Sequence, residues 1–224
     1  MLFDDGVTIN SRRVVNKFKD ALSTVPQYKQ ADIKRKGEAA TLKLTSYDWN
    51  FDIVPCFYTN PDSAGKTYYV IPDGDGNWKF TDPTIDRARV RRLVAARGTI
   101  ILSVIRLVKF WNCRPTMPTM GSYLLENMIL DYYESRDPTT WPDLEFKQVI
   151  KYIESAIYGA VNDPKLIQGD LNKVELADRF KISLRCASDY AKCAEARELE
   201  SVGDHKGAIG KWAEVFGDLF PAFT

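Results

Sequence analysis

Three places in this 224-residue chain carry side chains that could do chemistry. The first is Asp52, inside the strand-like run "FDIVPCF". Aspartate is depleted in strands, so one in an apolar run needs a partner. A cation, a metal ion, a lysine or backbone N–H groups would serve. Side chains alternate along a strand, which points Phe51, Ile53 and Phe57 one way and Asp52 and Val54 the other. On the inner face of a sheet such a carboxylate suits metal-assisted phosphoryl transfer, which uses two ions about 3.5–4 Å apart. One carboxylate cannot hold both ions, and at least two more are needed nearby. The second place is Lys109 in "RLVKFWN". Alone it reads as a solvated or snorkelling lysine on an amphipathic helix. The third is "GSYLLE", where Ser122 fits a helix N-cap and Leu125 and Met128 begin an apolar face. A helix start also attracts phosphate, with the Ser122 hydroxyl as a further donor. Tyr123 offers a flat face for a base, worth ~1–3 kcal/mol when stacked.

The elements that must position these residues fall into two parts. Asn10 or Ser11 caps a helix to about Ser23, with Val14, Val15, Phe18 and Leu22 at helical spacing. Strand-like segments follow near Ala31–Lys34, Thr41–Thr45, Asn50–Phe57 and Lys66–Ile71, and "PDGDGNW" is a turn. The texture changes at Asp82-Pro83, a helix cap followed by a first helical residue. Helical patterns then run to about Asn112, with a break at Gly98, and over Ser122–Glu134, Leu144–Ala160 and Val174–Val202. A last helix ends in "KWAEVFGDLFPAF". The reading is an α+β fold, with a small, mostly antiparallel part over residues 1–82 and a helical lobe over 83–224. With no flexible linker between them, the two are expected to pack as one body. In the long helix Leu176, Phe180, Leu184, Ala187 and Ala191 keep the spacing of a buried face. Trp212, Phe216, Phe220 and Phe223 are expected to close the bundle as an aromatic latch.

Composition excludes several classes. Charged residues make up 27% and hydrophobic ones 45%, with a net charge of +1, so nothing in the bulk charge signals nucleic acid or an anionic membrane. Four scattered cysteines and a single histidine make a zinc site a poor expectation and reduced thiols a good one. The longest apolar run, "GTIILSVIRLV", is too short to span a bilayer. The start "MLFDDGVTIN" lacks the basic and apolar regions of a signal peptide, and a cytoplasmic location is expected.

Taken in order, "FDIVPCF", "YYVIPDGDGNWKFTDP", "LVKFWN", "GSYLLENMILDYY" and "AIGKWAEVFGDLFP" resemble the cGAS/DncV-like nucleotidyltransferases. These are similar to the oligoadenylate synthetases and lie within the polymerase-beta superfamily. The resemblance implies a polymerase-beta-like core with a helical lobe. It implies an enzyme that joins ATP, GTP or pyrimidine triphosphates into cyclic di- or trinucleotides, messengers of antiphage defence (CBASS), with two Mg²⁺ ions in the complete site. Asp52 would be the third metal-binding carboxylate and help activate the acceptor hydroxyl. Lys109 and Ser122 would contact the donor triphosphate, and Tyr123 would stack on its base. Asp163 in "VNDPKL" would lie in a loop facing the pocket. Nucleoside triphosphates are the expected partners, with a regulatory protein as a further one; membrane and nucleic acid are not expected.

The sequence departs from the family pattern. No Gly-Ser pair precedes Asp52, and no acidic-x-acidic pair does either. Asp4 and Asp5 are adjacent and would face opposite sides of a strand. The expectation is therefore a chain that begins after those motifs, with an open sheet edge and little activity of its own. Two alternatives stand beside it. One is a nucleotide-binding module without catalysis. The other is an enzyme making linear oligonucleotides or acting on tRNA ends, for which Arg87, Arg91 and Arg92 would form the basic stripe.

Overall fold

A computed structural model describes residues 9–61, 63, 65–115 and 117–223. Asp4 and Asp5 lie outside the described residues. The chain divides into two compact units, Met1–Pro83 and Thr84–Thr224.

The first unit opens with α1 (Ser11–Ser23), capped by Asn10, whose side-chain oxygen accepts the Arg12 N–H at 3.0 Å. Strands β1 (Asp32–Lys36), β2 (Ala39–Lys43) and β3 (Asn50–Ile53) form an antiparallel sheet in the order β1-β2-β3. The β1–β2 turn needs a left-handed residue, and Gly37 supplies it at φ 58°. Ala40 and Leu42 are buried, and α1 packs on β1 and β2. A second antiparallel sheet holds β4 (Phe57–Tyr58), β5 (Tyr69–Pro72) and β6 (Trp78–Thr81), in that order.

Two expectations change here. "FDIVPCF" is not one strand. Val54-Pro55-Cys56 interrupt it, so Phe57 belongs to the other sheet and shares no face with Phe51 and Ile53. Pro55 has no N–H for a ladder, which is the physical reason. Strand β6 was also missed, because its residues follow directly on the turn. There Asp73 accepts the N–H groups of Asp75 and Asn77 at 2.8 and 3.0 Å and sends the chain straight back along β5.

The second unit contains α2 (Pro83–Arg97), α3 (Ile100–Asn112), α4 (Ser122–Glu134), α5 (Pro142–Ala156), α6 (Leu176–Ser201) and α7 (His205–Phe216). Gly98, at φ 97°, separates α2 from α3. Val104, Val108 and Trp111 of α3 meet Leu125, Met128 and Ile129 of α4 and Phe146, Ile150 and Ile153 of α5 in one apolar core. No helix among the described residues is long and apolar enough to cross a membrane.

The expected buried face of α6 is wrong. Leu176, Phe180 and Leu184 are 72%, 57% and 56% exposed, Ala191 is exposed and Ala187 is half-buried. The buried stripe is Ile182, Cys186, Asp189, Cys193 and Ala196. α6 lies against both α5 and α7, and the smaller side chains of this stripe let three helices approach closely. Asp189 is held in that core by the Trp111 indole N–H and the Arg185 Nε–H, each at 2.7 Å. Of the aromatic latch, Trp212, Phe216 and Phe220 stack in series, whereas Phe223 is half-exposed.

Candidate functional site

Asp52 sits on β3, the outer strand of its sheet among the described residues. The register aligns Lys34, Thr41 and Asp52 in one row across the three strands. The Thr41 hydroxyl donates to Asp52 Oδ1 at 2.6 Å, while Lys34 pairs with Asp32 instead. The partner of Asp52 within the sheet is therefore a neutral hydroxyl. Its carboxylate is solvent-exposed. A two-ion site needs several carboxylates, and the described residues contain no group of three or more side chains fit to hold a metal. Asp52 alone does not fit two Mg²⁺ ions.

Lys109 lies in the last turn of α3, where a cation complements the helix dipole. It pairs with Glu126 of α4. Glu126 is four residues after Ser122, on the same helix face. The ion pair therefore brings Lys109 to the face of α4 that carries Ser122. Ser122 is exposed, but it is the first helical residue and not the cap; the cap is Gly121, which has no side chain to offer. Among the described residues no side-chain hydrogen bond caps the start of α4, which makes it a suitable seat for an anion. Asn112 fixes this geometry. Buried at the end of α3, it donates to the Met120 carbonyl at 2.9 Å and accepts the Met120 N–H at 3.0 Å. That pair of hydrogen bonds sets the entry of the chain into α4, and nothing in the sequence pattern signals it.

Tyr123 is half-buried, and its hydroxyl is the centre of a polar cluster. It donates to Asp86 Oδ1 at 2.8 Å and Asp163 Oδ1 at 3.0 Å, geometries between which its single proton is shared. The Lys165 ammonium also reaches that hydroxyl and pairs with Asp86 at 3.1 Å and Asp163 at 3.3 Å. It lies 3.9 Å from the ring centroid. It therefore lies over the ring as a cation–π partner while bonding to its hydroxyl. Asp163 and Lys165 are almost fully buried. Burial first, then the bonds to Asp86 and Asp163, push the Tyr123 hydroxyl well above its usual range, so it stays a donor. For Asp163, burial acts upward, but the N–H groups of Gln168 and Lys165, the Tyr123 hydroxyl and the Lys165 charge outweigh it and hold the carboxyl below its usual value.

The loop that presents Asp163 is internally braced. Asp163 Oδ2 accepts from the N–H of Ile167 at 3.2 Å and of Gln168 at 3.0 Å, and Asn162 bridges to Asp170. Leu166 holds a left-handed backbone at φ 59°, a conformation that a leucine keeps only when its surroundings enforce it. Asp86 and Lys165 were not singled out from the sequence. Asp86 looks like an ordinary first-turn acid, and nothing in "NDPKL" says that its lysine is buried.

The structure thus gathers Lys109 and Ser122 on one face of α4, and Tyr123 with Asp163 beside its start. Asp52 belongs to the other unit. Of the basic stripe only Arg92 has an ion-pair partner among the described residues, Glu134, while neighbouring Arg89 is held by Asp131, Glu134 and Asn127. Arg87 and Arg91 remain exposed.

No protein-family model matches the sequence. A probable cyclic nucleotide synthase of Bacillus cereus strain VD146 is 44% identical over 219 residues, which span 98% of this chain and 66% of that relative. Among solved structures, CdnC of E. coli MS115-1 in complex with HORMA-deltaN superposes with a TM-score of 0.74 at 15% identity, over 95% of this chain and 73% of that one. In sequence and fold the chain resembles the cGAS/DncV-like nucleotidyltransferases. Escherichia coli DncV, solved with 3'-deoxy GTP, superposes with a TM-score of 0.71 at 16% identity, over 97% of this chain and 60% of that one. The α+β architecture expected from the family resemblance is the one found, with two small antiparallel sheets and a helical unit. The chain spans just under two thirds of its curated relative's length.

Proposed function

We propose that this chain carries the donor-nucleotide grip and one catalytic carboxylate of a cyclic nucleotide synthase. In the reaction, an acceptor hydroxyl displaces pyrophosphate from a nucleoside triphosphate. The observation that carries the reading is the Lys109–Glu126 pair, which brings a cation to the face of α4 where Ser122 is exposed, at a helix start whose cap offers no side-chain hydrogen bond. Lys109 and Ser122 would hold the triphosphate, and Tyr123 would stack on the base. Asp52 would be one carboxylate ligand of Mg²⁺, with the other ligands coming from outside the described residues. The kinship with a named synthase supports this reading, as do CdnC structures solved with ATP and DncV structures solved with GTP and with the linear intermediate pppA(3',5')pG.

The cytoplasm, where nucleoside triphosphates are made, is the proposed location, and antiphage defence the proposed setting. The CdnC complex with HORMA-deltaN supports a regulatory protein as a partner.

Equilibrium binding of ATP and of GTP, each with Mg²⁺, tests the grip. Wild-type chain should bind at least one of them, and Lys109→Met and Ser122→Ala should each weaken it. Absent binding, or binding that both variants leave unchanged, would sink the reading. Any cyclic or linear product formed must disappear in Asp52→Ala. The second reading, a nucleotide-binding module without turnover, is favoured by the isolation of Asp52 as a single carboxylate. It predicts the same binding results with no pyrophosphate release.

A further inference from the structure

We infer that Asp86 is a positioning residue for the nucleobase, acting only through the hydroxyl of Tyr123; this rests on the nucleotide-binding reading of the same site. A tyrosine ring on a first helical turn is otherwise free to turn about its side-chain bonds, and a base stacking on it would have to freeze that motion. Here the far end of the ring is already fixed from two directions. Asp86 reaches the hydroxyl from the first turn of α2, and Asp163 and Lys165 reach it from the 162–170 loop. The loop is braced by its own hydrogen bonds, from the N–H groups of Lys165, Ile167 and Gln168 to Asp163. Lys165 ties Asp86 to Asp163 electrostatically. Asp86 and Asp163 meet the ring only at its hydroxyl, and Lys165, which also bonds to the hydroxyl, lies over the ring 3.9 Å from its centroid. Asp86 is the member best suited to a test, because its side chain is 31% exposed while those of Asp163 and Lys165 are almost wholly buried.

The probe is 2-aminopurine riboside triphosphate with Mg²⁺, whose fluorescence is quenched by stacking, titrated into the full chain. Wild type should quench it, and Tyr123→Leu should abolish the quenching. Tyr123→Phe keeps the ring and removes the anchor point. It should quench at saturation as wild type does but bind about fivefold or more weakly. Asp86→Asn should weaken binding to a similar degree, and the Tyr123→Phe/Asp86→Asn double variant should bind like Tyr123→Phe alone. A residue that only supports the fold would not share its whole effect on affinity with the hydroxyl while leaving the quenching amplitude intact. Wild-type affinity in Asp86→Asn and Tyr123→Phe, or independent losses that add in the double variant, would overturn the inference while Tyr123→Leu still upholds the stacking role. Equal quenching by wild type and Tyr123→Leu, or no binding by wild type, would overturn the stacking role as well. Circular dichroism accompanies each variant. If Asp86→Asn does not fold, Tyr123→Phe alone decides, and wild-type affinity in it overturns the inference.

Discussion

Lys109 of α3 and Glu126 of α4 form an ion pair in which each side chain is about one-third exposed, at 34% and 30%. The pair has two opposing consequences for an incoming triphosphate. It holds the cation on the face of α4 that bears Ser122, yet it also partly neutralises it. Charge-assisted hydrogen bonds contribute about 1.5–3 kcal/mol, and partial exposure reduces that. Lys109→Met is therefore expected to weaken ATP binding by about tenfold. Glu126→Gln should strengthen it several-fold, because the lysine loses its competitor while keeping a neutral hydrogen-bond partner. Calorimetric titration at low and moderate salt checks both. Weaker binding in Glu126→Gln would mean that the carboxylate is needed to place the lysine and does not compete with the ligand.

Asp163 predicts how the helical unit responds to acid. Its carboxyl titrates below the ordinary value in the folded chain. The unfolded chain therefore binds the proton more readily, and stability rises with pH between the two values. The contribution of Asp163 is fully present above the unfolded value near 3.8 and is lost as pH falls through the lower folded value. Asp170 and Glu134 are depressed too and act in the same direction. Denaturant unfolding between pH 7 and pH 2.5 should show a steep loss below about pH 4. Asp163→Asn should lower stability at pH 7 by about 3 kcal/mol, since it leaves buried Lys165 short of a countercharge, and should flatten the acid limb. An acid limb as steep as that of wild type would assign the loss to other carboxylates.

The sequence made some of this architecture legible and hid the rest. Asn10, Pro83 and Gly98 mark helix ends by local chemistry, and the structure ends its helices there. Lys109, Ser122 and Tyr123 could be picked out because their order along the chain is informative. Asp86 and Lys165 could not, because they lie far from Tyr123 in the chain and meet it only through folding. On α6, spacing alone was ambiguous: two apolar stripes share the helix, and the larger side chains lie on the exposed one.

That ambiguity gives a stability prediction. Leu184→Gln on the exposed stripe should change unfolding free energy by no more than about 0.5 kcal/mol. Ile182→Ala, two residues away and 1% exposed, should cost about 2–4 kcal/mol through lost burial and an unfilled cavity. Urea unfolding monitored by tryptophan fluorescence compares them directly. Equal losses would mean that Leu184 is covered in solution.

The four cysteines provide an independent check on the same helix. Cys56 and Cys113 are exposed, whereas Cys186 and Cys193 are buried on the inner stripe of α6. The thiolate is the reactive form. Burial, reinforced by the charge of Asp189, pushes the Cys193 thiol up to about 12 and that of Cys186 higher still. At pH 8 a disulfide reagent should therefore modify two thiols of the native chain quickly and reach the other two only after denaturant is added. Cys56→Ser/Cys113→Ser should remove the fast phase completely. A remaining fast phase would mean that α6 turns its inner stripe outward in solution, and the core assignment built on Ile182, Cys186 and Cys193 would fall with it.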